Sequence, residues 1–74
     1  MTKKEYYALA TKEAHEYEQG IGVYYGRPTE TAVVLLKARM DVLKTCVESE
    51  RMKDDTKAYI KRKIDETTGA AVMK

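Results

Sequence analysis

Residues 29–51 read TETAVVLLKARMDVLKTCVESER, and no other stretch constrains the architecture as tightly. Val33, Leu36, Met40, Leu43 and Val47 recur at spacings of 3, 4, 3 and 4. That period keeps one side of an α-helix apolar along its whole length. Ala32, Leu35, Val42 and Cys46 widen the seam, and the polar face is confined to Glu30, Lys37, Asp41, Lys44 and Glu48. A helix apolar over so much of its girth is expected to be covered from several sides. Pro28 and Thr29 suit its first positions.

Upstream lies Gly20-Ile21-Gly22-Val23-Tyr24-Tyr25-Gly26-Arg27-Pro28, which holds three of the four glycines and the only proline, and reads as a loop. Before it, a helix is expected over about 3–19. Thr2-Lys3-Lys4-Glu5 matches the capping box, in which Thr accepts from the backbone and Glu reaches back. Gly20 suits the left-handed position past the helix end. Tyr6, Leu9, Ala10, Ala14 and Tyr17 share one face of that helix. Downstream, the apolar pattern lapses at Glu50 to Asp55. A third helix is expected over about 54–68, with Ile60 and Ile64 as its core residues and Gly69 ending it. Residues 69–74 read as a frayed tail. The expected fold is therefore all-α, a single small domain over 1–74 with three helices (about 3–19, 29–51 and 54–68) and a long central one.

Seventy-four residues leave little room for a core, and there is no Phe and no Trp to fill it. Domains this small often lean on a disulfide, a metal or a partner subunit. One Cys cannot form an internal disulfide, and one Cys with one His fall short of a structural zinc site. No metal and no cofactor is expected. The central helix, on the order of 35 Å at 1.5 Å per residue, exceeds what a globule with a radius of gyration near ~11 Å accommodates. It is expected to reach the ends of the domain or project past it, and to pack on a copy of itself, as a homo-oligomer with a dimer favoured, or on another protein; the alternative is that the helix breaks before Glu48 and the monomer closes.

Net charge is +2 with 35% charged residues, an interspersed polar surface. No apolar run approaches the ~18 residues of a membrane span, and the opening Met1-Thr2-Lys3-Lys4-Glu5 lacks the apolar stretch of a signal peptide. No membrane partner and a cytoplasmic setting are the expectations.

Arg39 is the most unusual residue of the central helix, lying among Ala32, Leu35, Leu36, Val42, Leu43 and Cys46 on the helical wheel. Glu13 is its counterpart on the apolar face of the first helix. A charge in such a place must pair, snorkel or face a partner. A buried Glu13–Arg39 pair fixing helix register is the favoured reading; an Arg39 awaiting an anion or a partner's carboxylate is the other. Tyr24, Tyr25 and Arg27 are the candidate contact residues of the loop, because Tyr and Arg bring large area with a polar tip. The competing reading is that one of the two tyrosines folds back to cap the core.

Lys53, Lys57 and Lys61 form a basic stripe at i, i+4 and i+8, with Arg62 and Lys63 nearby, a candidate nucleic-acid surface. Asp54, Asp55, Asp65 and Glu66 share the helix and weaken that reading. No catalytic residue is expected: His15 lies opposite the tyrosine face, Ser49 sits between two glutamates, and Cys46 falls on the apolar side, where thiols are inert. The expected function is a small non-enzymatic interaction module or regulator, an adaptor or inhibitor that occupies another protein's surface. A nucleic-acid-associated protein is the alternative.

Overall fold

Thr2 starts the first helix. Its hydroxyl accepts from the Glu5 backbone N–H at 3.2 Å and donates to Glu5 Oε1 at 3.1 Å. The carboxylate thus closes on the Thr2 side chain rather than on its backbone, half of the expected capping box. The computed structural model describes residues 1–73. Helix α1 spans Lys3–Gln19, α2 Thr29–Glu48 and α3 Asp54–Val72, with a short 3₁₀ turn at Gly22–Tyr24. Gly20 takes the left-handed conformation (φ 66°) just past α1, and the N–H of Ile21 reaches back to the Glu16 carbonyl at 3.1 Å. Only glycine adopts that conformation without a steric penalty.

Helix α2 begins with Pro28 in the capping position and Thr29 as its first helical residue. It stops at Glu48, three residues short of the expected end. The Ser49 hydroxyl donates to the Cys46 carbonyl, and the N–H of Glu50 turns back to the Val47 carbonyl. Glu50 then accepts from the Met1 amino group at 3.0 Å and from the Tyr6 hydroxyl at 2.9 Å, both on Oε1. These bonds bring the start of α1 to the end of α2, so the two helices run antiparallel. Lys44 reaches Asp65, and Lys57 and Lys61 reach Glu48, so α2 and α3 also meet in opposite directions.

Each helix packs on the other two. The core is Tyr6, Tyr24, Leu36, Met40, Val47, Ile60 and Ile64, with Ala10, Ala14, Ala32 and Ala71 where helices approach closely. Of the seam read from the sequence, Leu36, Met40 and Val47 are buried, and Leu43 packs partly buried against them. That seam serves the chain's own bundle.

Two expectations are corrected. Helix α3 does not end at Gly69. It continues to Val72, and Ala71 is buried at 2% exposure, so residues 69–72 are packed helix and not a frayed tail; Lys74 lies outside the described residues. Burial of Ala71 and partial burial of Val72 outweigh the ~1 kcal/mol that a mid-helix glycine costs. Helix α2, about 30 Å long, does not project, because the molecule's longest dimension is 39 Å. Within the chain, α1 and α3 leave one side of α2 open: Val34, Val42 and Cys46 are exposed.

Candidate protein-binding surface

The loop between α1 and α2 is held from both sides. Tyr24 turns inward, to 2% exposure, and packs edge-on against Tyr17 with ring centres 5.8 Å apart. Its hydroxyl donates to Glu13 Oε2 at 2.7 Å. Arg39 closes on the same carboxylate, Nε to Oε2 at 2.7 Å and Nη2 to Oε1 at 2.8 Å. Two parallel charge-assisted bonds of this kind fix direction as well as position. One carboxylate therefore ties together α1, the loop and α2.

The ionisation of the three groups follows from these contacts. The Arg39 hydrogen bonds hold Glu13 below the usual carboxylate value, against the opposing effect of its burial. Burial first, and the Glu13 carboxylate second, push Tyr24 well above an ordinary tyrosine. Arg39 is raised by its bonds to Glu13. All three act as a fixed acceptor and two fixed donors at neutral pH.

The sequence anticipated a buried pair at these positions. The Arg39 side chain is 44% exposed and that of Glu13 12%, so the pair is half open to solvent. Arg39 stands at the edge of the packed face, its stem along a groove lined by Leu9, Val42 and Leu43, where a long side chain keeps its charged end in water. Tyr24 is not a contact residue either; it is the tyrosine that caps the core. Its tie to Glu13 was missed in the sequence, where a buried phenol's need for a hydrogen-bond partner was the available signal.

With Tyr24 anchored, its neighbours face outward. Ile21, Val23 and Tyr25 are all exposed, Tyr25 at 80%. Arg27 is exposed beside them, and its Nε donates to the Val23 carbonyl at 2.6 Å, which ties the guanidinium to the loop. Next to this ridge lies an open groove of about 520 Å³ between the end of α1, the start of α2 and the last turns of α3, lined by Tyr17, Tyr24, Arg27, Thr29, Ala32 and Ala71. Gly22, in the same loop, has φ 65°, and a Cβ there would stand 2.8 Å from Glu16 Oε1.

The basic stripe does not stand free. Lys57 donates to the Glu48 carbonyl at 2.9 Å, and Lys61 pairs with the Glu48 carboxylate, which the pairing holds below its usual value. Lys53 occupies the capping position of α3 and is exposed. A different set of cations comes together around Tyr59: Lys3 at 4.5 Å from the ring centre, Arg62 and Lys63 at 5.6 Å. Lys3, Tyr59 and Lys63 line a groove together with Lys4, Tyr7 and Ile60.

His15 is exposed in a groove against the end of α3. Cys46 is exposed on α2, not buried as its place on the wheel had suggested, because α1 and α3 cover only the opposite side of that helix. Among the described residues, no helix is long and apolar enough to cross a membrane. No family model, curated protein or solved structure matches this chain.

Proposed function

We propose that this chain is a small non-enzymatic protein–protein interaction module, an adaptor or inhibitor, that engages its target with the loop between α1 and α2. The observation that carries this reading is the exposed apolar ridge of Ile21, Val23 and Tyr25 on a loop anchored by Tyr24. Exposed apolar residues scattered singly need no explanation, but three within five residues of one anchored loop, with Arg27 beside them in the chain, concentrate apolar area where a partner docks. Tyr25 is the anchor, and Arg27 at the rim answers a carboxylate on the target. Because the loop is tied down before binding, little ordering entropy is lost on docking. The target is a protein with an apolar pocket for the Tyr25 ring and an acidic residue beside it.

The test is affinity capture from cells that make the protein, with wild type, Tyr25→Ser and Arg27→Ser as baits. A target held by wild type and lost with Tyr25→Ser supports the module. An identical set of retained proteins with all three baits contradicts it.

The cations around Tyr59 favour one alternative, a nucleic-acid-associated role. Aromatic rings bordered by Lys and Arg suit stacked bases of a single strand. This alternative uses Lys3, Lys4, Arg62 and Lys63 in place of the Lys53, Lys57 and Lys61 stripe. It requires retention on single-stranded nucleic acid that weakens with salt and is lost with Tyr59→Ser.

A further inference from the structure

The side of α2 turned away from the bundle is as orderly as the side turned in. At 100° per residue, Thr31, Val34, Ala38, Val42 and Thr45 fall in one narrow stripe opposite Leu36, Met40 and Val47. All five are exposed, Val34 at 68% and Val42 at 62%. No charged residue interrupts the stripe. The surrounding helices do not account for it, since α1 and α3 lie on the opposite side.

We propose that a second copy of this chain covers that stripe, the two α2 helices packing antiparallel about a two-fold axis at Ala38. The register of the stripe is symmetric about Ala38. Counted from Ala38, the stripe holds Val at −4 and +4 and Thr at −7 and +7. In an antiparallel pair centred on Ala38, residue n lies level with the partner's residue 76 − n. Val34 then packs beside the partner's Val42, Thr31 beside the partner's Thr45, and Ala38 beside the partner's Ala38. A two-fold interface uses the same patch on both chains and must be self-complementary in this way; contact with an unrelated protein places no such demand on spacing. The small side chain at the centre lets the helix axes come to the near end of the usual 8–10 Å range.

The flanking charges agree. Lys37 and Asp41 lie on the same flank of the stripe, at −1 and +3 from Ala38. The two-fold axis brings that flank against its own copy, so Lys37 stands about 3 Å along the axis from the partner's Asp41, and the reverse pair repeats it. Opposite charges thus meet twice near the centre. At the two ends, Glu30 stands about 3 Å along the axis from the partner's Glu48, a like charge that Lys61 already offsets within each chain. In a parallel pair the two-fold axis runs along the helices and sets this flank beside the partner's opposite flank, which carries Leu35, Arg39 and Cys46, so the Lys37–Asp41 contacts form only in the antiparallel pair. The α1–α2 loop takes no part, and a pair of chains displays two loops. The inference therefore stands or falls separately from the loop's proposed target.

Cysteine cross-linking of the purified full chain tests this. Cys46→Ser supplies the background, and Ala38→Cys, Val34→Cys or Val42→Cys is added to it, each variant first shown to be folded by circular dichroism. On mild oxidation, Ala38→Cys is expected to form a disulfide-linked dimer. Val34→Cys and Val42→Cys are each expected to stay largely unlinked alone, since like positions lie roughly 12 Å apart along the axis, and to link when mixed. Efficient linking of Val34→Cys to itself would show a parallel pair and overturn the proposal. So would the absence of cross-links in all samples together with a monomeric mass for wild type at millimolar concentration. Should a cysteine variant fail to fold, sedimentation of wild type against Val42→Lys gives the same decision: a dimer lost in the variant supports the pairing, and identical masses overturn it.

Discussion

Tyr24 and Tyr25 are adjacent in the chain and lie at opposite extremes of exposure, 2% and 80%. The buried ring holds the loop to α1 and α2 through Glu13, and the exposed ring is what that anchoring presents to solvent. Anchor and ridge can therefore be separated by mutation. Tyr24→Phe removes only the bond to Glu13 and is expected to lower stability by about 1 kcal/mol. Tyr25→Ser is expected to change the stability measured by urea unfolding by less than about 0.5 kcal/mol, the usual range for an exposed position.

Glu13 and Arg39 are expected to behave as a coupled pair. Glu13→Ala leaves Tyr24 and Arg39 without their acceptor, and a loss of about 1–3 kcal/mol follows. Arg39→Met loses less, about 1 kcal/mol, because its guanidinium is largely solvated and solvent screens it. The double variant is expected to be more stable than the sum of the two losses implies, by roughly 0.5 kcal/mol or more. Strict additivity in denaturant unfolding would show that the two residues do not interact.

Gly69 lies in the last turn of α3, and a Cβ built there meets nothing within 4 Å. Gly69→Ala is therefore expected to raise stability by about 0.5–1 kcal/mol, through reduced freedom of the unfolded chain and better helix propensity. Gly22→Ala is expected to act in the opposite direction, since φ is positive and the new Cβ meets the Glu16 carboxylate. Thermal melting of the two variants beside wild type reads both signs at once.

The dependence on pH has two arms. Glu13, Glu48 and Glu50 are held below the ordinary Glu value of 4.5, by Arg39, Lys61 and the Met1 amino group respectively. Just below pH 4.5 the unfolded chain binds more protons than the folded one. Their stabilisation is complete above that pH and is lost as pH falls through their folded values. Tyr6 works the other way. Burial, then the bond to Glu50, push it up to about 12 from 10.0, so its contribution is complete below pH 10 and is lost as pH climbs through 12. Stability against denaturant across pH, with phenolate absorbance on the alkaline side, is expected to show an acid decline starting near 4.5 and late-ionising tyrosines.

The helices were legible in the sequence because their signals are local. Thr2, Gly20 and the seam from Val33 to Val47 each depend on neighbours a few residues away. The errors arose where distant residues decide. Helix α2 stops at Glu48 because Glu50 is claimed by Met1 and Tyr6, 49 and 44 positions upstream. Helix α3 runs past Gly69 because Ala71 finds a place in the core. On the wheel, Val42 and Cys46 resemble core residues as much as Leu36 does; three-helix packing alone determines which side of α2 stays open. The Glu13–Arg39 juxtaposition could be inferred because both charges interrupt apolar faces. Tyr24 could not be told from Tyr25, since adjacent residues of the same type carry the same local signal.

The central claim is that the Tyr25 ridge, held in place by Tyr24, docks onto another protein. Its most direct measurement is a photo-cross-linking amino acid at position 25, with the same residue at exposed Glu66 as the control, in cells that make the protein. The account predicts a discrete cross-linked product with a second protein at position 25 and none at position 66. Equal, diffuse labelling from both positions, or products containing only this chain, would contradict it.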